Sequence, residues 1–323
     1  MDYRFPMGPY PYGWYQVLLS RDIKRKEIKT VEYFNKSIVV FRGESGTVSA
    51  RDAYCPHLGA HVGVGGKVVG DTIQCPFHGW RFDHDGQCVD IPYCAKIPPK
   101  AKFEMYPTQE INGAIFIYYD EQGEAPKFDL PVMPEFSDPN YSKLLHWNYE
   151  VDSHVQEMAE NALDMGHFPL VHDYKEVPRI ESLICEGAAL HVRFLGERRL
   201  LGVRNPFDVT LDCYGLGVVF GRNITDLVTV RVIHSATPIN ENKLRIGVSF
   251  VYQKSKIPGL NLFLRWFLPK EVVRFVDGDR AILNHKMYRE KPKLCSAERP
   301  LMVLRRWAKQ FYRETGVEEA AAA

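Results

Sequence analysis

Two short loops of the same design constrain this chain more than any other feature. Cys55-Pro56-His57-Leu58-Gly59 and Cys75-Pro76-Phe77-His78-Gly79 each offer one cysteine and one histidine and then a glycine. Glycine lets a tight loop bring its backbone close to a shared centre, and Pro56 and Pro76 stiffen the two loops. Seventeen residues, 58 to 74, separate His57 from Cys75. Zinc also accepts two cysteines and two histidines, but zinc fingers pair C-x2-4-C with H-x3-5-H. Here each loop supplies one donor of each kind. That alternation suits a binuclear centre, a [2Fe–2S] cluster with Cys55 and Cys75 on one iron and His57 and His78 on the other.

The chain around these loops, from about Tyr15 to Tyr119, reads as short strands punctuated by turns. Ser37–Arg42 is β-rich and runs into Gly43 and Gly46, and Lys67-Val68-Val69 meets Gly70-Asp71. Residues 125–139 hold four prolines without periodicity and read as an extended linker. The pattern then changes. Ser153 to Met165 is helical, with Val151, Val155, Met158, Ala159 and Ala162 on one face, and Ser153 with Gln156 fits a capping box. Residues 183–253 return to β pattern, with a hairpin turn at Asn240-Glu241-Asn242. Two closing helices are expected, about 270–288 and about 301–315. The second places Leu301, Leu304, Trp307, Ala308 and Phe311 on one stripe.

A second set of donors follows the first expected helix. His167 and His172 are five apart, a spacing that does not share a helical face, but Pro169 between them can swing one back beside the other. Two imidazoles and one carboxylate make the facial triad of a non-haem Fe(II) site, which leaves positions open for dioxygen. On spacing alone, a histidine pair near a helix end is more often a packing or capping feature.

The string CPHLGAH…CPFHGW resembles the Rieske motif, and residues 10–121 resemble a Rieske [2Fe–2S] domain. Quinol-oxidising Rieske proteins tie the two loops with a further disulfide. Ala60 and Phe77 stand at those positions here. The chain therefore resembles the subtype serving oxygenases, in the lower part of a range of about −150 to +300 mV. Asp164, His167 and His172 form D-x2-H-x4-H downstream, which resembles the catalytic domain of Rieske non-haem iron oxygenases. The resemblance implies an α+β chain: an all-β Rieske domain over 10–121, a linker over 122–145, and a catalytic domain over 146–318. That last domain is expected to be an antiparallel sheet flanked by helices, helix-grip or START-like, with 319–323 as a tail. It implies His167 and His172 as iron ligands. Asp164 matches the carboxylate that joins an iron-ligand histidine to a cluster-ligand histidine of a neighbouring subunit, here His167 and His78, which implies a homotrimer. The family pattern for the third ligand is D-x-x-I followed by a bulky apolar residue. Asp279 with Ile282-Leu283 fits it, Asp277 is the alternative, and His285 is a further competitor. Asn161, one turn before Asp164, is a candidate to orient water or the aspartate, or is an ordinary exposed polar residue.

The implied chemistry is NAD(P)H-dependent activation of O2. No G-x-G-x-x-G opens a helix, so electrons are expected from a separate reductase of flavin or ferredoxin type. Along CPHLGAHVGVGG and CVDIPYCAKIPPKA the chain is similar to 3-ketosteroid 9α-hydroxylase oxygenases and cholesterol 7-desaturases, which implies a flat hydrophobic substrate. Apolar strands such as 216–220 suit the lining of such a cavity. The apolar run 258–268 reads as a buried helix, with a mobile lid or a membrane-touching access route as the alternatives. Oxidative O-demethylation of a small aromatic, a Rieske electron carrier and a zinc-stapled binding protein are the competing readings. Net charge is +1, which excludes a global attraction for nucleic acid. No apolar run approaches a transmembrane span and the N-terminus has no secretory pattern. Seven cysteines without scaffold density suit the cytoplasm.

Overall fold

The computed structural model describes residues 5–200 and 202–313, with backbone alone at 199 and 200. The expected helix end at Thr315 and the tail at 319–323 lie outside the described residues. The chain forms two compact units, Trp14–Lys127 and Phe128–Ala323 with Met1–Gly13.

The first unit contains β1 (Gly13–Leu19), β2 (Ile28–Tyr33), β3 (Lys36–Arg42), β4 (Val48–Asp52), β5 (Lys67–Val69), β6 (Thr72–Gln74), β7 (Arg81–Phe82), β8 (Cys88–Asp90), β9 (Met105–Tyr106), β10 (Thr108–Ile111) and β11 (Ala114–Tyr119). They form three sheets, β1-β11-β10, β2-β3-β4-β9 and β5-β6-β7-β8. The β2–β3 hairpin turns on Phe34 and Asn35, both at positive φ, as a two-residue turn matched to strand twist requires. Phe34 tolerates that conformation because it is buried and stacked on Tyr119, 4.0 Å away. Cys55 and Cys75 are part of one buried apolar cluster with Phe41, Ile73, Trp80 and Phe82, so the core itself fixes the thiols.

The second unit begins with β12 (Leu145–Val151), α1 (Val155–Leu163), a 3-10 turn (Met165–His167) and α2 (Phe168–Val171). Then come β13 (Arg179–Glu186), β14 (Ala189–Leu200), β15 (Val203–Tyr214), β16 (Val218–Thr225), β17 (Thr229–Asn240), β18 (Lys243–Tyr252), α3 (Leu260–Leu283) and α4 (Arg299–Ala308). The seven strands make one antiparallel sheet ordered β12-β18-β17-β16-β15-β14-β13. Asn240 pairs with Lys243, so the β17–β18 hairpin turns where the Asn-rich segment suggests. α1 packs on β17 and α3 on β12, which gives the α+β, helix-flanked sheet expected from the resemblance. Leu304, Trp307, Ala308 and Phe311 are buried along one side of α4 and the 3-10 turn after it.

Two local expectations need correction. The N-cap of α1 is His154, whose ring nitrogen accepts from the Gln156 N–H at 3.2 Å. Ser153 instead points its hydroxyl at Glu157, 3.5 Å away, so the Ser153–Gln156 box does not form. His154 takes the cap because its ring is held by stacking on Phe5 at 4.1 Å and by a contact to the Pro9 carbonyl at 3.1 Å. The helix expected over 270–288 runs over 260–283, so the apolar run 258–268 supplies its first turns. Leu264 and Phe267 are buried there, while Leu262 and Trp266 face outward. Among the described residues, no helix is long and apolar enough to cross a membrane.

Candidate metal centres

The twin loops are near copies in three dimensions. In each, the glycine N–H donates to the cysteine carbonyl, Gly59 to Cys55 at 2.9 Å and Gly79 to Cys75 at 3.1 Å. Both glycines sit at φ +74, where a side chain would be strained. The cysteine N–H groups are tied to Ala60 and Trp80 carbonyls, each at 2.8 Å. Cys55 and Cys75 are buried and His57 and His78 half-buried, so the sulfurs lie inside and the imidazoles toward solvent. The two rings are 4.7 Å apart, and His57 lies flat on Trp80, whose indole N–H donates to Tyr93. Burial, then the neighbouring Cys75 sulfur, pushes the Cys55 thiol up to about 12. A bare thiolate is therefore disfavoured in this pocket, and a cation is what would stabilise it, so the donor set fits a metal cluster.

In the second unit the chain turns sharply after α1. Asp164 ends the helix and caps the 3-10 turn by accepting from Gly166 N–H at 3.1 Å. Pro169 lies in the first turn of α2, so the helix restarts rather than continues. This restart brings the Nε2 atoms of His167 and His172 to 3.1 Å, although five residues separate them. α3 delivers Asp279, whose Oδ1 lies 3.5 Å from His167 Nε2 and 3.2 Å from His172 Nε2. These ligand atoms all fall within 4.8 Å of one another. Oδ1 of Asp279 is buried and has no hydrogen-bond partner among the described residues, an arrangement that suits a cation. Three ligands at right angles, each about 2.1 Å from one metal, lie about 3 Å apart, close to the spacing seen. Burial lowers the His167 pKa and keeps its imidazole neutral, the form that binds metal. Phe275 stacks on His172 at 3.6 Å and fixes its ring.

The remaining candidates divide clearly. Asp277 is exposed, as is His285, whose Nδ1 lies 3.0 Å from the Ala281 carbonyl. Asp164 Oδ2 lies 3.8 Å from His167 Nδ1, and Asn161 lines a cavity of about 300 Å³ that opens on His167 and Asp279. The floor of that cavity is one face of the sheet. Of the strand 216–220, Leu216, Gly217 and Val219 line it, while Val218 and Phe220 are buried on the other side. His234, Asn223 and the Arg198–Glu271 ion pair also line it and were not anticipated. The period-two alternation of β16 and β17 held that signal, because it puts Asn223 in line with Val219 and His234 with Val232.

Residues 13–107 match the Rieske [2Fe-2S] domain model, and 117–312 match the 3-Ketosteroid 9alpha-hydroxylase C-terminal domain. A cholesterol 7-desaturase of Ciona intestinalis is 31% identical over 94% of this chain and 69% of its own. A probable 3-ketosteroid-9-alpha-monooxygenase, oxygenase component, of Rhodococcus rhodochrous is 31% identical over 97% of this chain and 82% of its own. Among solved structures, dicamba monooxygenase bound to dicamba superposes with a TM-score of 0.75 at 19% identity, covering 93% of this chain and 96% of that one. NdmA of Pseudomonas putida CBB5 with caffeine gives 0.76 at 19%, covering 92% and 89%. Fold and sequence together define an oxidoreductase of the Rieske oxygenase class, with a [2Fe–2S] cluster as cofactor. Within that class the chain belongs to the 3-ketosteroid 9alpha-hydroxylase family.

Proposed function

We propose that this chain is the terminal oxygenase component of a Rieske system that hydroxylates a flat, hydrophobic, steroid- or sterol-like substrate with O2 and electrons from NAD(P)H. The observation that carries the reading is the cavity of about 300 Å³, floored by apolar strand residues, that opens on His167 and Asp279. In this reading Cys55, His57, Cys75 and His78 hold the [2Fe–2S] cluster, and His167, His172 and Asp279 hold Fe(II). When bound, the two groups supply single electrons and a place for dioxygen to react. The protein residues do the rest. The apolar floor and Phe275 bind and orient the substrate and exclude water. Asp164 lies 3.8 Å from His167 Nδ1 and has 35% of its side chain accessible, so it is available to His78 of a neighbouring copy. A contact of that kind, repeated around a ring, would build a homotrimer head to tail. Asn161, one helical turn before Asp164 and lining the cavity, orients water or that aspartate. A separate flavin or ferredoxin-type reductase recharges the cluster, and seven unpaired cysteines suit the reducing cytoplasm.

The test is reconstitution with iron and sulfide, followed by turnover under 18O2 with NADH and a surrogate reductase. Steroid ketones and sterols are offered beside aryl methyl ethers. We expect brown protein with about three irons per chain and one labelled oxygen in a steroid product. Turnover of the aryl ethers alone would move the assignment to oxidative demethylation, and a colourless zinc protein would end it.

A further inference from the structure

Along β16, Val219, Gly221 and Asn223 face the cavity, and along β17, Val230, Val232 and His234 do. Asn223 stands opposite Val209 of β15 and Val230 of β17, so its nearest neighbours across the sheet are apolar. Its Oδ1 is buried and meets no hydrogen-bond donor among the described residues. Native interiors rarely leave such a group unmet unless a ligand or water satisfies it. Its place in the cavity follows from register. Val219 pairs with His234 and Asn223 with Val230, so the rows of His234 and Asn223 are four residues apart, about 13 Å along the strands. On β14, Phe194 shares the Asn223 row through Val209, and Arg198 lies four residues further in the same direction. Arg198 pairs with Glu271 of α3 at 3.3 Å, and Glu271 precedes Asp279 by eight residues, about 12 Å along the helix. Asn223 therefore lies toward the Arg198–Glu271 end, away from the metal ligands. Gly221 keeps the floor low between the two ends, since a Cβ there would lie 2.5 Å from Val232 Cγ1.

We propose that Asn223 is a specificity-determining residue: its carboxamide holds an oxygen substituent at the end of an elongated, otherwise apolar substrate remote from the metal ligands. That the substrate is a steroid rests on the function proposed above; the subsite itself rests on the orphaned amide and the register. A carboxamide can donate to a ketone or accept from a hydroxyl.

The experiment measures dissociation constants on the reconstituted holoprotein. One panel holds androst-4-ene-3,17-dione and the two steroids that lack one or the other ketone. A second holds 4-phenylphenol and biphenyl. Wild type is expected to bind the dione about tenfold more tightly than one of the monoketones. Asn223→Leu is expected to bind the dione as weakly as that monoketone and to lose the preference. Asn223→Asp, which cannot donate when ionised, loses the ketone preference and keeps binding to the matching alcohol. The cluster spectrum and Tm check folding, and Asn223→Ser replaces the leucine variant if that fails to fold. Steroid binding with an unchanged preference in Asn223→Leu overturns the subsite and leaves the steroid reading standing. No steroid binding, with a 4-phenylphenol preference that Asn223→Leu abolishes, sustains the subsite and removes the steroid. Absence in wild type of any preference for the oxygenated member of either panel overturns the subsite.

Discussion

Arg305 of α4 holds α1 in place, and its removal is expected to cost far more than the loss of a surface charge. Its guanidinium meets the Glu160 carboxylate through two bonds of 2.9 Å, donates to the carbonyls of Arg289 at 2.8 Å and Glu290 at 3.3 Å, and lies 4.6 Å over the Tyr288 ring. Only 14% of the Arg305 side chain and 6% of that of Glu160 is accessible. Gln156 adds one bond to Glu160, at 3.1 Å, and could not replace the lost charge. Breaking one partner of such a buried pair costs about 3–5 kcal/mol, because the other charge stays buried and uncompensated. For a unit of this size each kcal/mol shifts Tm by about 2–4 °C, so Arg305→Leu should lower it by roughly 6–20 °C. The double variant Glu160→Leu with Arg305→Leu should be more stable than Arg305→Leu alone, since it leaves no stranded charge. Thermal melts of the three proteins, read by near-UV circular dichroism, make the comparison. A loss below about 1 kcal/mol in Arg305→Leu would place this pair with ordinary surface pairs and refute the argument.

Three further outcomes can be checked together. Asp279→Ala should keep the cluster spectrum, lose one iron of three and lower turnover more than about 100-fold, while Asp277→Ala, at an exposed position, should do neither; equal effects would reverse the ligand assignment. Burial pushes the His234 pKa down to about 4. Its stabilising contribution is thus complete above the ordinary value near 6.5 and is lost as pH falls toward 4, by up to roughly 3 kcal/mol. Urea melts of metal-free protein should therefore weaken more between pH 7 and 4.5 in wild type than in His234→Leu, and identical pH dependence would count against it. Gly221→Val should raise KM for multi-ring substrates more than for single-ring ones, because its Cβ meets Val232 at 2.5 Å; a uniform change in KM would show that the floor at this point does not set substrate size.

The two candidate metal centres differ in how much of them local sequence discloses, and the reason is chain geometry. In the twin loops every donor lies within a few residues of a glycine that dictates the turn, so residue type and spacing nearly determine the shape. The second centre depends on a helix that stops at Asp164, restarts at Pro169 and meets a carboxylate more than a hundred residues away. Spacing alone argued against His167 and His172 sharing a face. Only the family pattern recommended Asp279 over Asp277, and burial is what separates them in three dimensions. Local pattern favours Ser153 as the cap of α1, but His154 gains that role from Phe5 and Pro9, contacts that no local pattern encodes.

The cavity is a third case, because strand alternation in the sequence already carries much of its lining. Strand alternation places alternate residues along much of β14 to β18 on one face once a single residue is assigned to the cavity, although Arg222 and Ser235 line it out of step. Register then carries that assignment from strand to strand. Asn223 and His234 interrupt this face with polar groups where apolar ones would pack at lower cost. Polar groups kept on an apolar face fit a ligand that meets them, as proposed for Asn223, and their replacement by leucine would leave the candidate metal-ligand set His167, His172 and Asp279 unchanged.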